Sequence, residues 1–488
     1  MRTAYSVETV RSAERELMAR LPEGALMQRA AAGLAAACAG LLRDLLGRVY
    51  GARVVLLVGS GDNGGDALYA GARLARRGAA VTVVPLASGR THEGGLTALL
   101  GAGGRVADDP FDVLTAADLV LDGITGIGGH GGLRPDAVPV ARAARGSGAL
   151  VVAVDLPSGV EAGSGEVTGE ALRADVTVTF GTYKPGLLID PAREHAGAVR
   201  LVDIGLAPHL PSVPELEALQ HEDVARLLPV PTGESDKYRR GVVGVVAGSA
   251  RYPGAAVLAV SGALRGGAGA VRYVGPGADA VIARFPETLV HGGPPSKAGR
   301  VQAWAVGPGL GDAPCDGSGP EAAVADVLAS DVPVLVDADG LRLLDAETVR
   351  GRTAPTLLTP HAGEAAALLG VARPEVEAGR LTAVRELAAR YGATVLLKGS
   401  TTLVADPDPA VPVRVNPTGT SWLATAGSGD VLSGLSGSLL AAGLPARDAA
   451  SVAAYLHGLS ARLASRNAPL AADDVAENLP EAWRNVVG

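Results

Sequence analysis

Aromatic side chains are scarce in this sequence, which has three Phe, three Trp and nine Tyr among its 488 residues. So few rings argue against the stacking platforms on which many proteins bind single-stranded nucleic acid. An excess of positive charge is missing as well, because the formal net charge at pH 7 is −8. This sign is wrong for a general nucleic-acid binder, and we expect no nucleic acid among the partners.

Cysteine is nearly absent, since Cys38 and Cys315 are the only two in the chain. They lie far apart and make neither a disulfide framework nor a metal cluster, which fits a reducing cytoplasm. The apolar stretch AAAGLAAACAGLL is too short to span a bilayer and is followed directly by Arg43 and Asp44. The acidic N-terminal segment is unlike a secretory signal. We predict a cytoplasmic protein without a membrane partner, in which this stretch is a helix packed on a sheet.

Short β-branched runs alternate with Ala-, Leu- and Arg-rich helical patterns along the chain. The runs are apolar almost throughout, as is typical of parallel strands covered on both faces. The predicted strands of the first half are Arg53–Val58, Ala80–Val84, Leu119–Leu121, Leu150–Val154, Val176–Phe180 and Val199–Val202. Those of the second half are Val242–Ala247, Ala270–Val274, Trp304–Val306, Val334–Val336, Thr356–Leu358, Val395–Leu397 and Thr402–Val404. After Gly427 the pattern is helical.

A proline-rich segment, LAPHLPSVPELEALQ at Leu206–Gln220, interrupts this alternation. We predict that it is a linker without a strand. The sequence therefore predicts two α/β domains, residues 1–210 and 221–488, each built on a mostly parallel sheet.

Polar side chains follow several predicted strands of the first half. Ligands of open α/β sheets bind outside the carboxyl ends of the strands, so these positions are candidates for a site. An Asp or Asn in a turn also caps its own backbone, and only the coincidence at several strand ends favours a site. The acidic groups suit a cation or hydroxyl groups, and the acid-free loop GITGIGGHGG suits a phosphate. The candidates are Asp62, Asn63, Asp66, Asp122, Asp155, Ser158 and Lys184.

The strongest signal of the second half is TAGSGDVLSGLSGSLLAAG, where a turn of small residues opens a helix. The N–H groups at such a helix start bind anions. Asp430 in this turn either complements the helix dipole or acts as a base during phosphoryl transfer. Upstream, TPHAGE predicts Thr359 as an N-cap with Pro360 at the first helical position. One turn on, Glu364 could assist Mg²⁺ through water.

The first half resembles the NAD(P)H-hydrate epimerase domain through GSGDNGGDA, DGITGIGGHG, DLPSG and TFGTYKPGLL. That family usually reads N-N-G-G-D-G in the first loop, where this chain has Asp62 and Ala67. The resemblance implies a Rossmann-like three-layer fold with catalytic Asp155 and Lys184, and a potassium ion at Asn63, Asp122 and Ser158. It also implies substrate contacts at Asp62, Asn63, Gly64, Gly65, Asp66, Gly126, Ile127, Gly128, Gly129, His130, Gly131, Gly132 and Asp155.

The second half resembles the ribokinase-like ADP-dependent NAD(P)H-hydrate dehydratase through YPGAA, GPGLG, TPHAGE, KGSTT and GSGD. It has Leu423 where the family often has Met, a volume-conserving change. The resemblance implies Asp430 as the catalytic base and substrate contacts at Ala255, Gly309, His361 and Asp430. It further implies Mg²⁺ with ADP as phosphoryl donor, and nucleotide contacts at Lys398, Gly399, Ser400, Thr401, Thr402 and Gly429.

Together the halves imply a bifunctional enzyme of nicotinamide nucleotide repair that takes NADHX, NADPHX and ADP. A kinase for a sugar or vitamin alcohol would keep the G-S-G-D turn but leave the first half unexplained. A non-catalytic ligand-binding first half would suit the loss of Asp155 or Lys184, and both are present. The motifs suit ADP or ATP equally, and the homo-oligomer that we expect is specified by no motif.

Overall fold

The structure is a computed structural model that describes residues 1–86, 90–311 and 319–488. Cys315 lies outside these residues. The chain divides into two compact units, which we name the N-unit (Thr3–Leu216) and the C-unit (Met1–Arg2 with Glu217–Gly488). Two short strands, Arg2–Ala4 and Leu216–Ala218, fall at the division along the chain.

The N-unit alternates strands and helices, as the sequence predicts. In chain order its elements are β1 (Arg2–Ala4), α1 (Val7–Met18), α2 (Ala25–Leu46), β2 (Arg53–Val58), α3 (Asp62–Ala75), β3 (Ala80–Pro85), α4 (Glu93–Gly101), β4 (Arg105–Val106), α5 (Pro110–Thr115), β5 (Leu119–Gly123), α6 (Val138–Gly146), β6 (Leu150–Val154), β7 (Val176–Phe180), α7 (Arg193–Ala196) and β8 (Ala198–Val202).

The N-unit sheet is parallel and runs in the order β4-β3-β2-β5-β6-β7-β8. The chain winds outward from β2 on one side and from β5 on the other. The strand order therefore switches between β2 and β5, which is where open α/β sheets bind their ligands.

Both faces of this sheet are covered by helices. In β2, Val54 and Leu56 point into a core shared with α2 and α3, whereas Val55 and Leu57 point into a second core shared with α6. Among the described residues, α2 is the one helix long and apolar enough to cross a bilayer. Its residues Leu34 and Cys38 are buried in the first core, which confirms the predicted packed helix. The helix spans Ala25–Leu46, so the prediction of a stretch too short for a bilayer was wrong.

The C-unit has a larger sheet with helices on its faces. Its elements are β9 (Leu216–Ala218), α8 (His221–Leu227), β10 (Val242–Val246), α9 (Pro253–Arg265), β11 (Ala270–Val274), α10 (Ala278–Arg284), β12 (Leu289–His291), β13 (Ala303–Val306), α11 (Gly319–Leu328), β14 (Val334–Val336), α12 (Ala346–Arg350), β15 (Thr356–Leu358), α13 (Ala362–Leu369), α14 (Arg373–Ala378), α15 (Arg380–Tyr391), β16 (Thr394–Leu397), β17 (Thr402–Ala405), β18 (Val413–Asn416), α16 (Ser428–Ala441), α17 (Ala446–Ser465) and α18 (Ala472–Val487).

The C-unit sheet runs in the order β9-β18-β17-β16-β15-β14-β13-β10-β11-β12. Strands β10 to β16 are mutually parallel, and β17 and β18 add antiparallel pairs. The helical pattern predicted after Gly427 is confirmed by α16, α17 and α18.

Helix α16 approaches its neighbours closely because small residues line it. A Cβ atom on Gly434 would lie 1.9 Å from the carbonyl oxygen of Ala259 in α9. A Cβ atom on Gly437 would lie 3.1 Å from Ala305 of β13. The SGDVLSGLSG pattern thus brings the start of α16 against both α9 and the sheet.

The structure corrects two further sequence predictions and adds short strands. The segment Leu206–Gln220 does contain a strand, β9, whose residue Leu216 is fully buried, so the prediction of a strandless linker was wrong. Helix α13 has His361 as its N-cap, so the prediction of Thr359 as N-cap with Pro360 at the first helical position was also wrong. The strands β1, β4, β12 and β18 were not predicted.

Candidate active sites

Three loops of the N-unit meet where its strand order switches. Asn63, in the first turn of α3, donates from Nδ2 to the carbonyl oxygens of Thr125 at 2.9 Å and Val154 at 2.7 Å. This side chain ties α3 to the chain just beyond β5 and at the end of β6. Asp62 is exposed at the first residue of α3, where a carboxylate complements the helix dipole.

Asp122 and Ser158 form a buried pair beside Asn63. The Ser158 hydroxyl donates to Oδ1 of Asp122 at 2.6 Å, and the Ser158 N–H donates to Oδ2 at 2.8 Å. The N–H of Thr125 in turn donates to Oγ of Ser158 at 2.9 Å. Burial raises the pKa of Asp122 to about 6, although the hydrogen bonds from Ser158 oppose the shift.

Asp155 and Lys184 form a second buried pair. Lys184 Nζ donates to Oδ1 of Asp155 at 2.5 Å, and Thr179 Oγ1 and Phe180 N donate to the same oxygen at 3.0 and 3.2 Å. Lys184 is only 1% exposed, so water screens the pair little. Asp155 has a φ of 65°, which residues other than glycine seldom adopt and which is common at functional sites.

Two more carboxyl groups, those of Asp66 and Glu14, lie near this pair. Asp66 is buried, and its Oδ1 has no hydrogen-bond partner among the described residues. Burial raises the pKa of Asp66 well above its usual value, and repulsion from Asp155, Asp62 and Glu14 adds to the shift. Burial likewise raises the pKa of Glu14, against the attraction of Lys184.

Sequence reasoning did not assign Glu14 to the site, although the sequence carried a signal. Val10, Ala13 and Leu17 form the buried face of α1. Glu14 follows Val10 by four residues and precedes Leu17 by three, so it lies on the same face. A carboxyl group within an apolar helical stripe requires a partner or a function.

The glycine-rich loop 126–132 lies beside Asn63 and Arg11. A Cβ atom on Gly126 would lie 2.9 Å from the Asn63 amide, and one on Gly128 would lie 2.5 Å from Nη2 of Arg11. Glu161 accepts from Gly131 N at 2.9 Å and lies 2.7 Å from His130 Nδ1. The N–H of Gly131 is therefore already bonded, and Arg11 supplies a cation that sequence reasoning missed.

The C-unit places a buried cluster at the carboxyl end of its parallel strands. Asp337, directly after β14, accepts from Lys398 Nζ at 2.6 Å and from Ser433 Oγ at 2.5 Å. Glu364 lies 3.7 Å from the same Nζ. Sequence reasoning predicted Lys398 but missed Asp337 and Ser433, whose roles depend on three segments meeting in space.

Asp430 lies in the first turn of α16 next to this cluster. Burial raises its pKa to about 7, with repulsion from Asp337 adding to the shift and Lys398 opposing it. The N–H groups of Asp430 and Val431 donate to the Gly427 carbonyl at 3.1 and 3.3 Å. The N–H groups of Gly427 and Gly429 have no acceptor among the described residues, so they are free donors of the predicted anion site.

His361 and Glu364 hold the start of α13. Nδ1 of His361 accepts from the N–H groups of Gly363 at 3.0 Å and Glu364 at 3.1 Å, and Glu364 Oε2 accepts from His361 N at 2.8 Å. A cavity of about 580 Å³ opens beside them. Its wall includes Asp339, Arg342, Leu344 and Tyr391 as well as His361 and Glu364.

The remaining predicted residues lie in two further groups. Ala255 and Gly309 are adjacent, because a Cβ atom on Gly309 would lie 2.5 Å from that of Ala255. The backbone of Lys398–Thr402 is fixed by the buried Arg380, which donates to the carbonyls of Lys398 at 3.1 Å and Thr401 at 3.0 Å. Sequence reasoning missed Arg380, since one arginine in a helix carries no signal of its own.

Comparisons with known proteins match both parts of the chain. A family model described as NAD(P)H-hydrate dehydratase matches residues 243–481, and one described as YjeF-related protein N-terminus matches residues 23–186. The bifunctional NAD(P)H-hydrate repair enzyme Nnr of Mycobacterium leprae is 50% identical over 468 residues, covering 95% of this chain and 94% of that protein. Nnr of Mycobacterium tuberculosis (strain H37Rv) is 51% identical over 453 residues, covering 92% of each chain.

A crystal structure of ADP/ATP-dependent NAD(P)H-hydrate dehydratase from Bacillus subtilis, co-crystallised with ATP and Mg²⁺, is also similar. It is 31% identical with a TM-score of 0.50, and the match covers 55% of this chain and 97% of the other.

The fold is that of a two-unit α/β enzyme, with buried carboxylates at a sheet switch point in one unit and a buried cluster of Lys398, Asp337 and Ser433 at the strand ends of the other. The chain belongs to the family of bifunctional NAD(P)H-hydrate repair enzymes. It has an epimerase unit and a dehydratase unit. The predicted Rossmann-like and ribokinase-like folds are confirmed, and the matches support this function rather than a sugar or vitamin kinase.

Proposed function

We propose that the N-unit interconverts the R and S forms of NAD(P)H hydrate and that the C-unit dehydrates the S form to NAD(P)H. ADP is the phosphoryl donor in this proposal and is converted to AMP and phosphate. The carrying observation is Asp430, which lies at a helix start with a free N–H group beside the Lys398–Asp337 pair.

In the C-unit, Asp430 is the proposed base. A pKa of about 7 suits it to take a proton from the hydroxyl group of the hydrate. That oxygen bonds to the terminal phosphoryl group as the bond from this group to AMP breaks. Phosphate leaves more readily than hydroxide, so it departs with the electrons of the C–O bond. A proton is lost from the neighbouring ring carbon, and the dihydropyridine ring reforms.

The other C-unit residues bind the reactants in this proposal. Gly429 N–H and Lys398 Nζ contact the transferring phosphoryl group, Lys398–Thr402 hold the nucleotide, and Ala255, Gly309 and His361 contact the hydrate. Mg²⁺ bound with the nucleotide supplies positive charge against the phosphates. Both carboxylate oxygens of Asp337 are bonded to protein, so Glu364 fits a water-mediated contact with a hydrated ion better.

In the N-unit, Asp155 is the proposed acid–base group. Epimerisation is accounted for if the hydroxyl group leaves as water and water returns on the opposite face, so one proton is given and one is taken. Asp155, which is paired with Lys184, is the proposed acceptor of the proton. The raised pKa of Asp66 favours its protonated carboxyl as a donor. Residues 62–66 and 126–132 hold the rest of the substrate.

We further propose potassium at Asn63, Asp122 and Ser158. One buried carboxylate with amide and hydroxyl oxygens around it suits an ion of low charge density. Among the described residues no three His, Cys, Asp or Glu side chains are grouped as a transition-metal site would need. The bound ion would supply positive charge near Asp122 and orient the three loops.

We also propose domain limits of 1–210 and 221–488, a cytoplasmic location and assembly into a homo-oligomer.

The proposed function is tested by incubating the chain with each separated hydrate epimer, with and without ADP and Mg²⁺. The absorbance of reduced nicotinamide should return from the S form only when ADP is present. The R form should recover more slowly, at the rate of epimerisation. Without ADP the epimers should still interconvert, and failure of both reactions would overturn the proposal.

A further inference from the structure

The peptide that joins Ser428 to Gly429 carries an N–H group of the G-S-G-D turn that has no acceptor among the described residues. In a trans peptide the C=O and N–H groups point in opposite directions. Whatever holds the Ser428 carbonyl therefore also aims the Gly429 N–H. The Ser428 side chain does not hold it, because its Oγ bonds to the carbonyls of Leu423 and Thr425.

His457 of α17 holds that carbonyl. Its Nε2 lies 2.9 Å from the Ser428 carbonyl oxygen, and since a carbonyl only accepts, Nε2 carries the proton. The carbonyl also belongs to the first turn of α16, and among the described residues no other side chain bonds to it. Ser433, the nearest alternative, lies 3.0 Å from the next carbonyl, that of Gly429, and donates its single proton to Asp337 over 2.5 Å.

We propose that His457 is a positioning residue for phosphoryl transfer, which fixes the Ser428–Gly429 peptide so that its N–H faces the transferring group. The inference rests on the proposed dehydratase function. His457 lies in α17, outside the motifs that carry the family resemblance, and touches neither reactant in this account.

The surroundings of His457 support a fixed role and not proton exchange. The side chain is only 6% exposed. Burial lowers the pKa of His457 to about 4, and the hydrogen bond to Ser428 opposes that shift only in part. The imidazole is neutral near pH 7, so it orients the peptide without adding a charge that would compete with Lys398 for the phosphate.

The test compares His457→Gln with His457→Leu in the full chain. The Gln amide nitrogen lies near the place of Nε2 and can donate to Ser428, whereas Leu fills the space without a donor. The Leu variant should lose ~10-fold or more in kcat for dehydration, below the ~10²–10³ cost of removing an anion-hole donor outright. The Gln variant should recover most of that loss, with the KM for the S hydrate unchanged in both.

The dehydration rate, the epimerisation rate and thermal unfolding together separate the possible outcomes. Epimerisation reports that the rest of the chain is intact, and thermal unfolding reports the stability of the C-unit. If the wild-type chain does not dehydrate the hydrate, the proposed function fails. If it does, and a folded Leu variant matches it or the Gln variant is as impaired as the Leu variant, the positioning role is overturned. If the Leu variant does not fold, His457→Asn takes its place, because the shorter Asn amide cannot reach the Ser428 carbonyl. Equal dehydration rates in the Asn and Gln variants would then overturn the positioning role.

Discussion

At the scale of one residue, the proposed base Asp430 should set the pH dependence of dehydration by the C-unit. Because the base must be ionised and its pKa is about 7, dehydration of the S hydrate should rise with pH through that value. The Asp430→Asn variant should be slower by ~10²–10⁴-fold and should lack this rise. Initial rates between pH 5.5 and 8.5 measure both, and an unchanged pH profile in the variant would contradict the assignment.

The same shift has a consequence for stability. The carboxyl group has a pKa of 3.8 in the unfolded chain and about 7 in the folded one, so the folded state binds more protons between these values. The stabilising contribution is complete below the lower value and is lost as pH rises through the upper one. The melting temperature of the Asn variant, relative to that of the wild type, should therefore rise with pH.

The buried ion pair of the N-unit gives a second residue-scale prediction. Lys184→Met removes a fully buried cation and leaves Asp155 uncompensated, which typically costs about 3–5 kcal/mol. Arg53→Met is the control, since it breaks the exposed pair with Asp118 in the same unit. Chemical unfolding followed by circular dichroism should show a large loss for the first variant and little change for the second. Equal stabilities would contradict the described pair.

Helix packing is tested at the scale of elements by two glycines. Gly434→Ala would place a methyl group 1.9 Å from the Ala259 carbonyl, so α16 and α9 must separate. Overpacking of this kind costs about 1–3 kcal/mol. Gly254→Ala in α9 meets no atom within 4 Å and should stabilise the helix slightly. The melting temperature should fall for Gly434→Ala and not for Gly254→Ala. An unchanged melting temperature in both variants would contradict the described packing.

The second prediction at the scale of elements concerns the three loops that Asn63 joins. Potassium bound beside Asp122 and Ser158 should hold them together, so epimerisation should rise with potassium at constant ionic strength. Ser158→Ala removes one oxygen ligand and should shift the response to higher concentrations. Exchange rates of the R and S forms report both effects, and indifference to potassium would remove the cation from the account.

Elements were predictable where their signal is local and long. Uninterrupted apolar runs such as Arg53–Val58 and Val176–Phe180 were predicted with the bounds that the structure has. Strands with polar residues, such as β4 (RV) and β18 (VRVN), show no apolar run, whereas the equally short but wholly apolar β14 was predicted. At α13, Thr359 is an ordinary N-cap residue type, but the His361–Glu364 capping box places the helix start two residues later.

The candidate sites were predictable to the same extent. Motif residues such as Asn63, Lys398 and Asp430 carry a local sequence signal. Asp337 and His457 carry none, because each acts on a segment distant in sequence. Such residues are recognised only when the packing of α16 and α17 on the sheet is known.

The whole molecule is two compact units, each with its own cluster. Separate family models match each part, residues 23–186 and residues 243–481. The Bacillus subtilis dehydratase matches 55% of this chain over 97% of its own length, so the fold of the C-unit occurs as a chain by itself. We therefore expect two independent active sites in one polypeptide.

The most direct measurement is a crossed assay of Asp155→Asn and Asp430→Asn. Each variant is given the separated R and S hydrates, and interconversion and ADP-dependent recovery of the reduced nucleotide are followed. Asp155→Asn should lose interconversion and still dehydrate the S form at the wild-type rate. Asp430→Asn should lose dehydration and still interconvert the epimers. Loss of both reactions in either folded variant would contradict two independent sites.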